Sequence, residues 1–188
     1  MAKSKRNVVT HGLSGLIGDL LVFRQRAGKT IVANRPKPSV KPPTTAMLKV
    51  RGMFRKAVIY ATNIIQDLTR KAEYEKAAKN GQSAFNVAFA DYLKGPEIEE
   101  DLSFANYTGQ TGQKLVASII DNFRVASVNF SIRDAGGDLI ESGEAEQSED
   151  GLDWVYTTTV DNPSFAGGVV IVKAYDQPGN ETLVQVMV

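Results

Sequence analysis

The stretch Val125-Ala-Ser-Val-Asn-Phe-Ser-Ile-Arg133 decides how the second half of the chain is interpreted. It interleaves two series of side chains: Val125, Ser127, Asn129 and Ser131, and Ala126, Val128, Phe130 and Ile132. Because side chains alternate between the faces of a strand, this pattern predicts a strand with one apolar face. Six other segments have strand-like composition between turn signals: 102–107, 114–120, 139–146, 154–160, 169–175 and 182–188. Seven such segments predict a β-sandwich of about 90 residues.

The first half of the chain predicts a different architecture. Residues 20–26 and 29–35 alternate around Ala27-Gly28, which is typical of a β-hairpin. Residues 1–18 indicate a flexible arm or a glycine-rich turn. Four prolines within residues 35–43 favour an extended strut. From Met47 to Leu68 apolar residues recur every three or four positions. This spacing predicts an amphipathic helix capped by Thr44 or Thr45, and two shorter helices follow before residue 95.

The tripeptide Gly28-Lys29-Thr30 raises the question of a phosphate-binding loop. Such a loop needs another glycine five residues before Gly28, where this chain has Phe23. It should also lead into a helix, whereas Ile31 and its neighbours are typical of a strand. We therefore interpret Lys29 as an exposed hairpin residue and expect no nucleotide.

Charge is strongly segregated along the 188 residues. Residues 1–60 contain 13 Lys or Arg and one acid, which gives +12, and residues 61–94 contain five bases and four acids, which gives +1. Residues 95–188 contain four bases and 16 acids, which gives −12, so the total is the net +1 of the whole chain. This asymmetry favours either a polyanionic partner or contact between the front of one copy and the back of another.

Several segments resemble known families. The stretches "LIESGEA" at 139–145, "DWVYTTTV" at 153–160 and "VIVKAYDQPGNETLVQV" at 170–186 resemble bacterial immunoglobulin-like domains. In the first half, "VFRQRAGKTIV", "NRPKP", "RGMFRKAVIYA" and "GQSAFNVAFADYLKGPEI" resemble an uncharacterised family of bacterial and phage-like proteins, a domain of unknown function. These resemblances imply an immunoglobulin-like sandwich of the kind used in spacers, adhesins and virion decorations, and they carry over no site residues.

The predicted fold class is therefore α+β. A basic arm with a β-hairpin and a Pro-rich strut is expected at 1–43, a small helical domain at 44–96, and an all-β immunoglobulin-like sandwich at 97–188. No apolar run of about 7–15 residues follows the basic N-terminus, so we expect synthesis in the cytoplasm without a signal peptide. The final site, a virion or the cell exterior, is left open, and no contact with a membrane is expected.

No residue pattern indicates catalysis. The chain has no cysteine, and its single histidine, His11, has no carboxylate nearby in sequence, so neither a catalytic residue nor a cofactor is predicted. Asp121, Asp134 and Asp176 are expected at strand ends, where inter-loop calcium sites sometimes form. Solvated loop carboxylates are the ordinary alternative for these residues.

The sequence thus predicts a non-enzymatic structural subunit that self-assembles into a filament, tube or phage-like particle, with copies of itself as partners. The arm of one copy is expected to contact the acidic or open-edge surface of the next. The predicted interface residues are Phe23, Arg24, Arg26, Lys29, Ile31, Arg35, Lys37 and Lys41. Two alternatives remain: a nucleic-acid-associated virion protein that uses the basic arm, and a carbohydrate-binding or adhesive module that uses the sandwich loops. No small-molecule substrate is evident.

Overall fold

A computed structural model describes residues 2–4, 8–26, 28–38, 41–79, 81–99, 102–149 and 151–188. The chain has an α+β fold with a β-rich C-terminal part. Its helices are α1 (Thr45–Gln66), α2 (Leu68–Ala77) and α3 (Ala84–Leu93). Its first four strands are β1 (Ala2–Ser4), β2 (Gly15–Ile17), β3 (Leu21–Arg26) and β4 (Lys29–Asn34). The remaining strands are β5 (Glu97–Ile98), β6 (Lys114–Ile120), β7 (Val125–Arg133), β8 (Leu139–Glu144), β9 (Glu146–Gln147), β10 (Asp153–Thr157), β11 (Val169–Asp176) and β12 (Glu181–Met187).

Strands β1–β4 form an antiparallel sheet in the order β1-β4-β3-β2, which we call the N-terminal sheet. The predicted hairpin is its centre, where β3 pairs with β4 from Leu21–Asn34 to Arg26–Lys29. Of the predicted turn, Ala27 lies outside the described residues. Of the two predictions for 1–18, the flexible arm was wrong for the strands β1 and β2, which pair with the outer edges of the hairpin, and turns precede and follow β2. A two-stranded hairpin is marginal in water, so the added strands supply the missing pairing.

The three helices follow the predicted apolar spacing. The Thr44 hydroxyl accepts a hydrogen bond from the Met47 backbone N–H at 3.3 Å, and Ser83 caps α3 in the same way. Their shared core contains Ala61, Ile64, Tyr74, Ala84, Val87 and Ala88. Asn80, predicted to end α2, lies outside the described residues. Within the described ranges, no helix combines the length and apolarity that a bilayer-spanning segment requires.

Strands β5–β12 form two four-stranded sheets, in the orders β5-β6-β10-β9 and β12-β11-β7-β8. Taken in chain order as A to G with C′ after C, these are the A-B-E-D and G-F-C-C′ arrangements of an immunoglobulin-like sandwich. The central strand is β7, which pairs with β11 and with β8. Its alternate residues Val128, Phe130 and Ile132 are fully buried. The core joins both sheets, since it also contains Leu115 and Trp154.

Segment 102–107 was predicted as a strand, and this prediction was wrong. The chain turns there, with the Tyr107 N–H donating to the Phe104 carbonyl at 2.9 Å. Both aromatic rings are nevertheless buried in the sandwich core. The apolar residues of segment 102–107 thus predicted burial correctly, but the backbone there forms a turn and no strand. The first strand of the sandwich is instead the two-residue β5, too short for a periodicity signal.

Several contacts join the helices to the sandwich. The Tyr74 ring stacks on Phe123 with centroids 3.9 Å apart. The Arg124 guanidinium lies 3.2 Å from the Glu73 carboxylate. These contacts bring α2 against the corner between β6 and β7, and the hydrogen bond from Tyr74 to Asp91 brings α3 to the same place, where three aspartates meet.

Candidate functional site

The first candidate surface is one face of the N-terminal sheet. Arg24 pairs with Ile31 and Arg26 pairs with Lys29 across β3 and β4, so these four side chains share one face. Arg24, Arg26 and Lys29 are exposed, and Ile31 is half-buried. We call these four residues the basic face.

Phe23, also predicted for the interface, lies on the opposite face of the same sheet and is only 8% exposed. The preceding chain crosses over that face, where the Gly12 N–H donates to the Thr30 hydroxyl at 3.3 Å. The Gln25 side-chain amide donates to the Leu13 carbonyl at 2.7 Å. Phe23 is therefore covered by its own chain and stabilises the sheet internally.

The three other predicted interface residues lie beyond β4. The Arg35 guanidinium contacts the Asp19 carboxylate at 2.5 Å, so its charge is compensated within the chain. Lys37 and Lys41 are exposed on the Pro-rich segment. The structure thus groups four of the eight predicted residues on one face and separates the remainder.

An acidic groove lies on the sandwich, with a volume of about 590 Å³. It is lined by the exposed carboxylates of Glu144, Glu146 and Glu149, which we call the acidic groove residues. Lys114 also lines it, so these four side chains carry a net charge of −2 (three negative, one positive). The groove is a negatively charged concave surface on the half of the chain opposite in charge to the N-terminal sheet.

The first turns of α1 present unpaired apolar surface. Only Ala57, Ala61 and Ile64 are buried along this 22-residue helix, all in its second half. The exposed apolar side chains of the first half are Met47, Leu48, Val50, Met53 and Phe54. A methyl group at Gly52 in this half of the helix would meet no atom within 4 Å. Phe54 packs edge-on against Phe89 of α3 at a centroid distance of 4.7 Å, so the apolar side chains left uncovered lie mainly in the turns of α1 before Phe54.

The second candidate site is a cluster of three aspartates. Asp91 lies on the buried face of α3, Asp121 follows β6, and Asp176 ends β11. One carboxylate oxygen from each lies within 4.8 Å of one from each of the others. Asp91 and Asp176 are buried at 0% and 3% exposure, and Asp121 is half-buried. We call these residues the aspartate cluster.

Backbone and side-chain donors fix the orientation of the cluster. The N–H groups of Phe123 and Arg124 donate to Asp121 Oδ2 at 3.0 and 2.9 Å. The Asn180 N–H donates to Asp176 Oδ1 at 2.6 Å, and the Asn180 amide donates to Asp176 Oδ2 at 2.7 Å. The carboxylates of Asp121 and Asp176 are thereby held in place next to the ends of β6 and β11.

Asp91 is less well satisfied than its neighbours. Its Oδ2 accepts a hydrogen bond from the Tyr74 hydroxyl at 2.6 Å, but its Oδ1 is buried without a hydrogen-bond partner among the described residues. Burial raises the pKa of Asp91 to about 7, and the negative charges of Asp121 and Asp176 act in the same direction. Burial also raises the pKa of Asp176.

The structure brings together two of the three aspartates predicted at strand ends. Asp121 and Asp176 meet, whereas Asp134 lies in the β7–β8 turn, where its carboxylate accepts from the Asp138 N–H at 2.9 Å. The third member, Asp91, was missed by sequence reasoning. A signal existed, since Asp91 continues the apolar stripe of Val87 and Ala88 at helical spacing.

Asn180 links the cluster to the end of α3. Its amide donates to the carbonyls of Asp91 and Tyr92 at 3.3 and 3.2 Å as well as to Asp176. Replacing Asn180 with Ala is expected to lower the free energy of unfolding by about 1–3 kcal/mol, because these acceptors lose their donor. Urea denaturation followed by circular dichroism measures this loss.

The matched control for that prediction is Gln177→Ala in the same turn. Gln177 is half-buried and makes no hydrogen bond within the described part of the chain. Its replacement is expected to change stability by less than about 0.5 kcal/mol. Equal effects of the two substitutions would contradict the bridging role of Asn180.

Comparison with known proteins adds little to this geometry. No protein-family model matches the sequence, and no curated protein matches it. Among solved structures, part of the chain is similar to a crystal structure of an engineered protein determined at 1.98 Å resolution. The match is 14% identical, has a TM-score of 0.32, and covers 59% of this chain and 30% of that one. At this level of similarity it supports no conclusion about function.

Proposed function

We propose that the protein is a non-enzymatic structural subunit that assembles with copies of itself, the basic face of one copy contacting the acidic groove of the next. The observation that carries this proposal is the placement of opposite charges on separate folded surfaces. Arg24, Arg26 and Lys29 lie on the N-terminal sheet, and Glu144, Glu146 and Glu149 lie on the sandwich. Charge complementarity of this kind sets partner choice and register.

Two features of the basic face support an acidic partner. Arg26 and Lys29 lie directly opposite each other, and like charges in that position destabilise a sheet. Neither makes an ion pair within the described residues, so a carboxylate from another molecule would relieve the repulsion. The face also carries no aromatic side chain, which disfavours base stacking and hence single-stranded nucleic acid.

The apolar side chains of α1 support a protein partner for the same half of the molecule. Met47, Val50 and Phe54 are 46%, 63% and 54% exposed. Their spacing of three and four residues places them on one face of the helix, and exposed apolar patches mark interaction surfaces in soluble proteins. The cations Lys49, Arg51, Arg55 and Lys56 flank them, so the same acidic neighbour fits this surface as well.

A front-to-back contact of this kind is heterologous, and it generates rings or open filaments. The edge strand β12 offers an additional site for growth. Among the described strands it pairs with β11, and from Thr182 to Met187 it carries no charged side chain, Glu181 at its start being its one charge. Long uncharged edges favour strand addition by another chain.

Charge reversal tests the proposal. Arg24→Glu combined with Arg26→Glu is expected to weaken self-association at least about tenfold at low salt, which corresponds to about 1.4 kcal/mol. Glu144→Lys combined with Glu146→Lys is expected to have the same effect. Mixing the two double variants should restore assembly as an alternating polymer. The reversed basic face of one variant then meets the reversed groove of the other, and the unaltered surfaces also meet with opposite charges. Sedimentation velocity and electron microscopy of nuclease-treated protein measure this.

The control is Lys76→Glu on α2 combined with Lys79→Glu just after that helix, which reverses two exposed cations away from the basic face. It should assemble like the unaltered protein. A protein that remains monomeric at high concentration, or double variants that do not rescue each other, would overturn the proposal. Polymers that disappear after nuclease treatment would favour the nucleic-acid alternative instead.

A further inference from the structure

We propose that Asp91, Asp121 and Asp176 bind one Ca²⁺ ion that ties α3 to the sandwich. The site is independent of the self-assembly surface, because none of its members lies on the N-terminal sheet or in the acidic groove. Its three carboxylates come from α3, from the corner after β6 and from the end of β11. A single ion would therefore join three segments that are distant in sequence.

The spacing of the oxygens fits a calcium ion. Ca²⁺ binds oxygen ligands at about 2.3–2.6 Å, so two ligands on opposite sides of the ion are at most about 4.6–5.2 Å apart. The three carboxylate oxygens lie within 4.8 Å of one another. Mg²⁺ binds at about 2.0–2.1 Å, and its opposite ligands are therefore at most about 4.2 Å apart. This limit is compatible with calcium, and the choice of calcium over magnesium rests on the three carboxylates, since Mg²⁺ is usually bound through one or two.

A second observation points to a ligand at the cluster. Asp91 Oδ1 is sealed from solvent and accepts no hydrogen bond from the described residues. A buried, unsatisfied carboxylate oxygen is costly, and native proteins pair such groups with a donor or a cation. No Lys or Arg nitrogen in the described ranges lies within 4.0 Å of the three carboxylates. A bound cation would satisfy the oxygen and compensate the three like charges together.

The surrounding hydrogen bonds hold the carboxylates as a preformed ligand set. Asp121 receives two backbone N–H donors, Asp176 receives both donors of Asn180, and Asp91 receives the Tyr74 hydroxyl. Donors of this kind orient the ligands of a metal without occupying all of their lone pairs. Ca²⁺ takes six to eight oxygen ligands, so water would complete the coordination.

Thermal unfolding of the full chain tests the site. Protein first treated with a chelator and then supplied with Ca²⁺ should unfold about 5–10 °C higher when free Ca²⁺ is about 100-fold above its Kd. Tb³⁺, which substitutes for Ca²⁺, should emit on excitation of tyrosine, because the Tyr74 hydroxyl lies 2.6 Å from Asp91. Mg²⁺ at the same concentration should give a smaller shift.

Asp91→Asn keeps the shape of the side chain and removes one charge. It should abolish both the Ca²⁺ shift and the Tb³⁺ emission, while its melting temperature in chelator stays at or above that of the unaltered protein. Should that variant fail to fold, Asp121→Asn, which changes a half-buried residue, is expected to give the same loss of response. Asp134→Asn is the matched control, since this aspartate lies in another turn, and it should respond like the unaltered protein.

Three results would overturn the proposal. One is an unchanged melting temperature in Ca²⁺ together with no Tb³⁺ emission, which would mean that protons alone neutralise the cluster. Another is an Asp91→Asn variant that responds to Ca²⁺ like the unaltered protein. The last is a Mg²⁺ shift equal to the Ca²⁺ shift, which would exclude a site selective for calcium.

Discussion

Replacing Phe130 with Ala is expected to lower the free energy of unfolding by about 3–5 kcal/mol. Phe130 is fully buried in the central strand β7. Its ring stacks on Tyr156 at a centroid distance of 5.5 Å and meets the edge of Phe104 at 6.0 Å. Truncation therefore removes apolar burial and leaves a cavity between rings that belong to different strands and loops. Domains are typically stable by about 5–15 kcal/mol, so the variant should lose about a fifth or more of its stability.

Urea denaturation followed by tryptophan fluorescence measures this loss. Trp154 is the single tryptophan and lies in the same core, so its emission reports unfolding of the sandwich directly. The control is Ser127→Ala, on the half-buried outward side of the same strand, with an expected change below about 0.5 kcal/mol. A loss below about 1 kcal/mol for Phe130→Ala would mean that this ring is not central to the core.

The sandwich was largely predictable because its strands are half-buried and alternate. The expected segments 114–120 and 125–133 coincide with β6 and β7. The predicted segment 139–146 is divided between β8 and β9 at Ala145, whose N–H still donates to the Val128 carbonyl of β7 at 2.8 Å. Hydrophobic periodicity predicts which face of a strand is buried, but it does not predict the residue at which the chain passes from one sheet to the other.

The N-terminal sheet was predictable only at its centre. The hairpin has β-branched residues and a glycine turn, whereas β1 and β2 have three residues each. Strands of that length carry no periodicity, and the glycines that precede β3 are typical of mobile chain. The outer strands form because the hairpin offers them unpaired backbone groups, which is a tertiary effect.

The aspartate cluster depends on three segments that are far apart in sequence. Sequence reasoning placed Asp121 and Asp176 at strand ends, but it had no means of choosing between Asp134 and Asp91 as their neighbour. The choice follows from packing, because the stacking of Tyr74 on Phe123 brings α2 and α3 to the β6–β7 corner. Which aspartates meet is determined by this packing between helix and sandwich, and no local sequence pattern predicts it.

A methyl group at Gly109 is expected to destabilise the sandwich by about 2–5 kcal/mol. Gly109 has a φ of 75°, in the left-handed region, which costs a residue with a Cβ about 1–2 kcal/mol. A Cβ at this position would also lie 2.1 Å from the Asn162 carbonyl oxygen and 2.9 Å from the Phe165 ring. The backbone contact is close because the Asn162 N–H donates to the Gly109 carbonyl at 2.7 Å. Relieving the overlap requires the two loops to separate, and such overpacking typically costs about 1–3 kcal/mol more.

Gly112→Ala separates the two contributions, because Gly112 has a similar φ of 82° and a Cβ there would meet no atom within 4 Å. It should cost only the conformational part, about 1–2 kcal/mol, in the same urea assay. The difference between Gly109→Ala and Gly112→Ala then measures how tightly residue 109 is held against residue 162. If the two variants lost equal stability, the loop around Asn162 would have to move away from residue 109 without any loss of folding free energy. The hydrogen bond between residues 109 and 162 would then contribute little to the stability of the sandwich.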